Sequence, residues 1–178
     1  MARRIQPSKG YPPVAGCDAR ILILGSLPGQ MSLQKRQYYA QPRNAFWPLM
    51  ARLLNGSATT SYEARTSMLI EHRIALWDVC ATAVRTGSLD AAICRESVVA
   101  NKFALFFSSN ATIELICFNG RKAADLYRRL VTPTLPASAA RLPTVTLPST
   151  SPAHASQSFE EKLRMWQRAV QINTLGAP

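Results

Sequence analysis

Four short apolar or β-branched runs mark the chain: residues 21–24 (ILIL), 74–77 (IALW), 113–118 (IELICF) and 144–147 (TVTL). A strand wetted on one face alternates apolar and polar residues, so near-continuous runs of this length suit strands covered on both faces. Helical spacing fills the intervals. Residues 44–54 put Phe46, Leu49, Met50, Leu53 and Leu54 at three- and four-residue steps. Residues 61–72, 98–107 and 120–131 are further helix candidates, and Asn119 stands where it could cap the last of them. Ser158-Phe159-Glu160-Glu161 has capping-box spacing and opens a final helix running to about residue 172. Residues 132–143, rich in Pro, Ala and Ser, read as a connection. Strands alternating with helices predict an α/β fold, a parallel sheet with helices on both faces.

Such sheets gather ligands beyond the carboxyl ends of their strands. Four loops are thereby singled out: GSLPG from Gly25, the segment from Asp78, FNG at 118–120, and PSTSPAHAS at 148–156. The first and last are more than a hundred residues apart, yet parallel strands bring both to one rim. The first loop runs on into YYAQPRNAFW (38–47), where core packing explains some of the rings but not Arg43 beside Asn44. Gly25 and Gly29 flank Pro28, so backbone can approach a ligand closely. GSLPG is neither GxGxxG nor a phosphate-cradling loop ending in GK[ST]. Paired carboxylates at catalytic spacing, GxSxG and HExxH are all missing, and nothing suggests a nucleotide cofactor.

With 178 residues, one domain is expected, spanning 19–174 behind a loose basic arm at 1–18. The net charge of +11, from 21 Lys+Arg against 10 Asp+Glu, is mostly arginine. That excess points to a polyanion, nucleic acid first, though an arginine-rich proteome would produce it too. Cys17, Cys80, Cys94 and Cys117 form no CxxC pair and there are two histidines, which disfavours zinc or an iron–sulfur cluster. No apolar run approaches the ~20 residues that cross a bilayer, and the N-terminus lacks a secretory h-region. A cytoplasmic, reduced, monomeric protein with no cofactor, metal or membrane partner is expected.

The ordered set ILGSLPG, YYAQPRNAFWPLM, IALWDV…GSLDAAI, FNG and LPSTSPAHA resembles the hypoxanthine-DNA (DNA-deoxyinosine) glycosylases of the uracil-DNA glycosylase superfamily, from about Ile21 to Trp166. The resemblance implies a three-layer α/β/α sandwich around a short, mainly parallel four-stranded sheet. It implies a monofunctional glycosylase that removes deaminated bases, chiefly hypoxanthine, from DNA in base excision repair. Such an enzyme must extrude the nucleotide and hold the base in a pocket. By position, Tyr39 would stack on that base; a core or rim tyrosine is the plain alternative.

The superfamily often carries Asp or Asn just before the proline of its first motif to handle the attacking water. Leu27 stands there instead, so the resemblance assigns the catalytic task to Asn44, by contact to water or to base. A helix cap is compatible with that role. Gly25, Ser26, Leu27 and Phe46 would complete the base site. Asp78 would read the base edge, since a carboxylate accepts from the N1–H of hypoxanthine and repels the bare N1 of adenine; the alternative is a strand-end or capping aspartate. Arg43, Ser149, Thr150, Ser151 and His154 would grip DNA phosphates, although Arg43 could be structural and the serine-rich loop a capped turn. His154 falls outside the place where superfamily members keep a leaving-group histidine, which Leu147 occupies, and Gln41 replaces a histidine often seen before PRN. No lysine is placed as a Schiff-base nucleophile, so water attacks and the abasic site stays intact. The rival readings are a uracil-directed enzyme of the same fold, a non-catalytic DNA-binding module and a free-nucleoside hydrolase.

Overall fold

Two of the four runs are buried at every position and the third from Leu115 on, as strands covered on both faces must be. The structure is a computed structural model and describes residues 6–174. In chain order, β1 (Ser8–Lys9), β2 (Ile21–Gly25), α1 (Gln30–Lys35), α2 (Phe46–Leu53) and α3 (Tyr62–Glu71) lead to β3 (Ile74–Asp78). Then come β4 (Cys80–Ala83), β5 (Val99–Ala100), α4 (Phe103–Ser109), β6 (Leu115–Asn119) and α5 (Arg121–Leu126). The last runs on as a π-turn over Tyr127–Val131, and α6 (Ala137–Ala140), β7 (Thr144–Leu147) and α7 (Phe159–Thr174) follow.

The central sheet is β3-β2-β6-β7, parallel throughout, with β2, β3 and β6 wholly buried. The chain steps from β2 outward to β3, then back past β2 to β6 and β7. Right-handed crossovers therefore place α2 and α3 on one face and α4 and α5 on the other. Leu24, Trp77 and Phe118 lie level in adjacent strands. Trp77 packs on Phe103 and Phe106, at 4.9 and 5.1 Å between ring centroids, and Phe118 on Tyr127 at 5.2 Å. In the other layer α2 meets α7 through the fully buried Phe46 and Trp166, 6.3 Å apart. This is the three-layer α/β/α sandwich expected.

Several local expectations need correction. Residues 8–14 are not loose. Ser8 and Lys9 pair antiparallel with β4, and Val14 exchanges two backbone hydrogen bonds with Leu76 at the outer edge of β3. The Tyr11 hydroxyl donates to Ser32 O at 2.6 Å, and Trp77 Nε1 donates to Tyr11 O at 2.8 Å. Residues 1–5 of the expected arm lie outside the described residues. Residues 98–102 do not begin α4, because Val99–Ala100 pairs with β4 in a second, antiparallel sheet, β1-β4-β5. Asn119 does not cap α5, whose N-cap is Gly120 with φ +98° and no side-chain bond. Its amide is engaged elsewhere.

Candidate active site

The parallel sheet ends on one rim at Gly25, Asp78, Asn119 and Leu147, and a cleft of about 760 Å³ opens there. A wider groove of about 930 Å³ runs along residues 7–14 and shares Tyr38 with the cleft, but it holds none of the strand-end residues.

The cleft contains two buried polar atoms that folding leaves unpaired. Asp78 is 3% exposed and its Oδ2 has no hydrogen-bond partner. Burial, reinforced by the charge of Asp90 and offset in part by Arg85, lifts its pKa from 3.8 to about 7. The Tyr39 hydroxyl is likewise buried and unpaired; the Asn119 side chain lies beside it without a well-formed hydrogen bond. Burial raises its pKa as well. Both groups crowd Gly25, where a Cβ would lie 2.3 Å from Asp78 Oδ1 and 2.9 Å from the Tyr39 hydroxyl. A glycine ends β2 because a carboxyl and a phenol occupy the space a side chain would fill.

Tyr39 has a left-handed backbone, φ +53°, and its half-buried ring stacks on Phe46 at 4.0 Å and 21°. Phe46 is fully buried and does not line the cleft, so it backs the Tyr39 ring and is not itself a base contact. Asn44 lines the cleft next to this pair. Its Oδ1 accepts from Phe46 N at 3.0 Å, while its Nδ2 has no partner among the described residues. Asn44 therefore stands one residue before the N-cap of α2, Ala45, and braces the helix start through Phe46 N, and a free donor remains.

The PRN loop and the fourth-strand loop are fastened together. Asn119 Oδ1 accepts from Thr150 N and its Nδ2 donates to Thr150 Oγ1, both at 2.8 Å. The Thr150 carbonyl in turn accepts from Ala45 N at 3.0 Å. Thr150 is 1% exposed, so it locks the two loops and offers no hydroxyl to a phosphate, contrary to expectation. Ser149 and Ser151 are half-buried and bond to the backbone of Ser151 and Ala153 through their hydroxyl oxygens, leaving the O–H protons unassigned. Half-buried His154 contacts Gln157 at 3.3 Å, and its carbonyl accepts from the buried Lys162 Nζ at 2.7 Å. Arg43 is exposed.

The GSLPG loop is held from beneath. The Arg85 side chain, 1% exposed, donates to the carbonyls of Leu27, Pro28 and Gly87. Ser26 Oγ donates to Asp90 Oδ1 at 2.6 Å. Ser26 and Leu27 line the cleft, but the Ser26 hydroxyl is committed to Asp90. No group of three or more potential metal-ligating side chains occurs among the described residues.

The model of the uracil DNA glycosylase superfamily matches residues 12–172. The chain belongs to that superfamily. It is 36% identical over 118 residues to the hypoxanthine DNA glycosylase of Methanosarcina barkeri, and 40% identical over 118 residues to that of Methanosarcina acetivorans. Each match covers 66% of this chain and 73% of the relative. A candidate uracil DNA glycosylase of Methanosarcina acetivorans, solved by NMR in solution, superposes with a TM-score of 0.74 at 34% identity, covering 92% of this chain and 99% of that one.

In this superfamily member the cleft brings together Gly25, Tyr39, Arg43, Asn44, Asp78 and the 149–154 loop, all expected from sequence. Sequence reasoning missed Arg85, Asp90 and Asn119. Of these, Asp90 left a trace inside the quoted GSLDAAI run and Asn119 inside FNG, but nothing marked the first as a partner for Ser26 or the second as a partner for Thr150.

Proposed function

We propose that this chain is a monofunctional DNA glycosylase that hydrolyses the N-glycosidic bond of deaminated bases, chiefly hypoxanthine, in base excision repair. The observation that carries the reading is the buried, unpaired Asp78 carboxyl in a cleft walled by the Tyr39 ring. A buried acceptor without a partner is costly unless a ligand supplies the donor. Hypoxanthine presents an N1–H and adenine a bare N1, so an ionised Asp78 accepts from the first and repels the second. The names of the two Methanosarcina relatives support the same substrate. Uracil also carries a ring N–H between two carbonyls, so the carboxyl alone does not separate it from hypoxanthine, and a cleft of about 760 Å³ admits either base; the relatives' names favour hypoxanthine. A non-catalytic DNA-binding module has no use for an unpaired carboxyl so far from the surface.

Tyr39, stiffened by Phe46 behind it, stacks on the extruded base, a contact worth ~1–3 kcal/mol. The Asn44 Nδ2 donates to the departing base as negative charge builds on it, and Oδ1 keeps a lone pair to orient the attacking water. Water adds to the sugar carbon as the base leaves, and the product is an intact abasic site. Arg43, Ser149, Ser151 and His154 hold phosphates on the rim. One chain supplies all these groups, so a monomer suffices.

The test is base release from an inosine-containing oligonucleotide by wild type and Asn44→Ala, beside uracil, xanthine and adenine substrates. Wild type is expected to free hypoxanthine fastest and to leave a strand that breaks only after alkali or heat. Equal rates for the two proteins would remove Asn44 from the chemistry, and DNA retention with no base release would support a binding module instead.

A further inference from the structure

Beside the cleft lies the groove of about 930 Å³ along residues 7–14, to which the chemistry above gives no task. Its lining holds three tyrosines, Tyr11, Tyr38 and Tyr62, two cations, Lys9 and Arg36, and no carboxylate. Both cations are exposed, and neither forms an ion pair among the described residues. The Arg36 charge reaches the Tyr11 hydroxyl. Tyr11 and Tyr62 are half-buried, so each keeps part of its side chain open to a ligand.

The rings are held in place by the fold itself. The Tyr11 hydroxyl donates to Ser32 O at 2.6 Å, and its carbonyl accepts from Trp77 Nε1 at 2.8 Å. Tyr62 is braced by Trp47, 6.0 Å away between ring centroids, and by the Arg65 guanidinium at 5.8 Å. Buried Tyr38 is the partition between groove and cleft, for it lines both. Its N–H donates to the Tyr62 hydroxyl at 3.1 Å, and its own hydroxyl donates to Pro12 O at 3.2 Å. A run of rings thus leads from the cleft into the groove, with centroids 6.4 Å apart from Tyr39 to Tyr38 and 5.5 Å from Tyr38 to Tyr11.

We propose that the groove takes the unpaired strand on one side of the target nucleotide, with bases against Tyr11 and Tyr62 and phosphates against Lys9 and Arg36. The inference rests on the glycosylase reading, which puts the extruded base at Tyr39. Rings beside cations, with no negative charge among them, suit a single strand: stacking accepts any base, and the cations follow the backbone. A duplex keeps its base faces inside the stack and has nothing to offer the rings. A second copy of this chain, at +11, would bring like charge to a cationic groove. The groove therefore adds single-stranded DNA to the substrates that the cleft can serve.

Affinity would be read by fluorescence anisotropy on DNA carrying 2′-fluoro-deoxyinosine, whose fluorine resists a positive sugar and so keeps the base attached. One single strand extends only 5′ of the lesion, a second only 3′, and a blunt duplex with a central lesion is the control. Lys9→Ala/Arg36→Ala is expected to weaken one of the two strands about 5-fold or more and to flatten its salt dependence by about 1.4 in log–log slope. The other strand and the duplex should stay within about 2-fold of wild type, with an unchanged melting curve. Replacing the bases of the favoured flank by abasic residues keeps the phosphates and removes the rings; wild-type affinity should then fall about 5-fold or more. Equal losses on both strands, an equal loss on the duplex, or no loss at all would overturn the proposal. So would unchanged DNA affinity with an altered sedimentation coefficient, which would give the groove to a second copy. Base release from ordinary inosine strands is scored separately. A wild type that frees no hypoxanthine refutes the glycosylase reading, whereas anisotropy still decides whether the groove holds a strand.

Discussion

Replacing Asp78 by Asn should make the protein more stable at alkaline pH and worse at choosing its base. In the unfolded chain the carboxyl titrates near 3.8, and in the fold near 7. Between those values the folded form binds the proton more tightly, so stability is highest below about pH 4 and falls as pH rises toward 7. The difference corresponds to ~4 kcal/mol at 1.36 kcal/mol per pH unit, a cost borne in full only above pH 7. The side chain is 3% exposed, so solvent screens little of it. A neutral amide in the same place escapes the charge penalty but keeps ~1–3 kcal/mol for its own unpaired polar atoms. The net gain expected at pH 8 is therefore ~1–3 kcal/mol, a rise in Tm of roughly 2–12 °C for a chain of this size. At pH 4 the wild-type carboxyl is neutral too, so only the amide's own ~1–3 kcal/mol remains and the variant should be less stable than wild type by about that much. The same change replaces a charged acceptor by an amide that can accept from N1–H or donate to the bare N1 of adenine, so the preference for inosine over adenine should fall by about 10–100-fold. Thermal melts at the two pH values, with kcat/KM on paired inosine and adenine oligonucleotides, would check both arms. A variant less stable than wild type at pH 8, a gain of equal size at pH 4, or unchanged selectivity would each refute the account of Asp78.

Two further substitutions probe the frame around it. Asn119→Ala strips Thr150 of two 2.8 Å partners and loosens the loop that holds Ala45; a loss of ~2–4 kcal/mol in stability and a fall of at least 10-fold in single-turnover rate, with DNA affinity little changed, is expected from melting, kinetics and mobility-shift titration. A wild-type rate would show that the clamp does not position Asn44. Gly25→Ala must displace the Asp78 carboxyl or the Tyr39 ring, since its Cβ would fall 2.3 and 2.9 Å from them; base release should drop about 100-fold while the fold survives by circular dichroism, and activity near wild type would show that the floor of the cleft can yield.

The central sheet was legible because its strands are covered on both faces and so leave unbroken apolar runs. The small sheet was not. Ser8–Lys9 and Val99–Ala100 are two residues each, too short to display any period, and Val98-Val99-Ala100 passes for the first turn of a helix. Around the cleft, the expected residues came from motif order, and most of them do meet. What failed was the direction of side chains. Tyr39 and Phe46 are both aromatic, yet only the first lines the cleft while the second sits beneath it. Ser149, Thr150 and Ser151 are chemically alike, and the fold buries only Thr150, because it alone meets Asn119 across thirty residues of chain. Arg85 looked like part of a general positive excess, but its guanidinium is spent on backbone carbonyls.

The two hydrogen bonds between Val14 and Leu76 bear on what the outer edge of β3 can pair with. β3 is the border strand of the central sheet, wholly apolar apart from Asp78, and an uncovered border of that kind is a template for the strands of other molecules. Residues 8–14 act as a selvedge. A chain begun at residue 19 would keep the cleft-lining residues yet present bare amides and carbonyls along that border, and it should precipitate more readily than the longer chain.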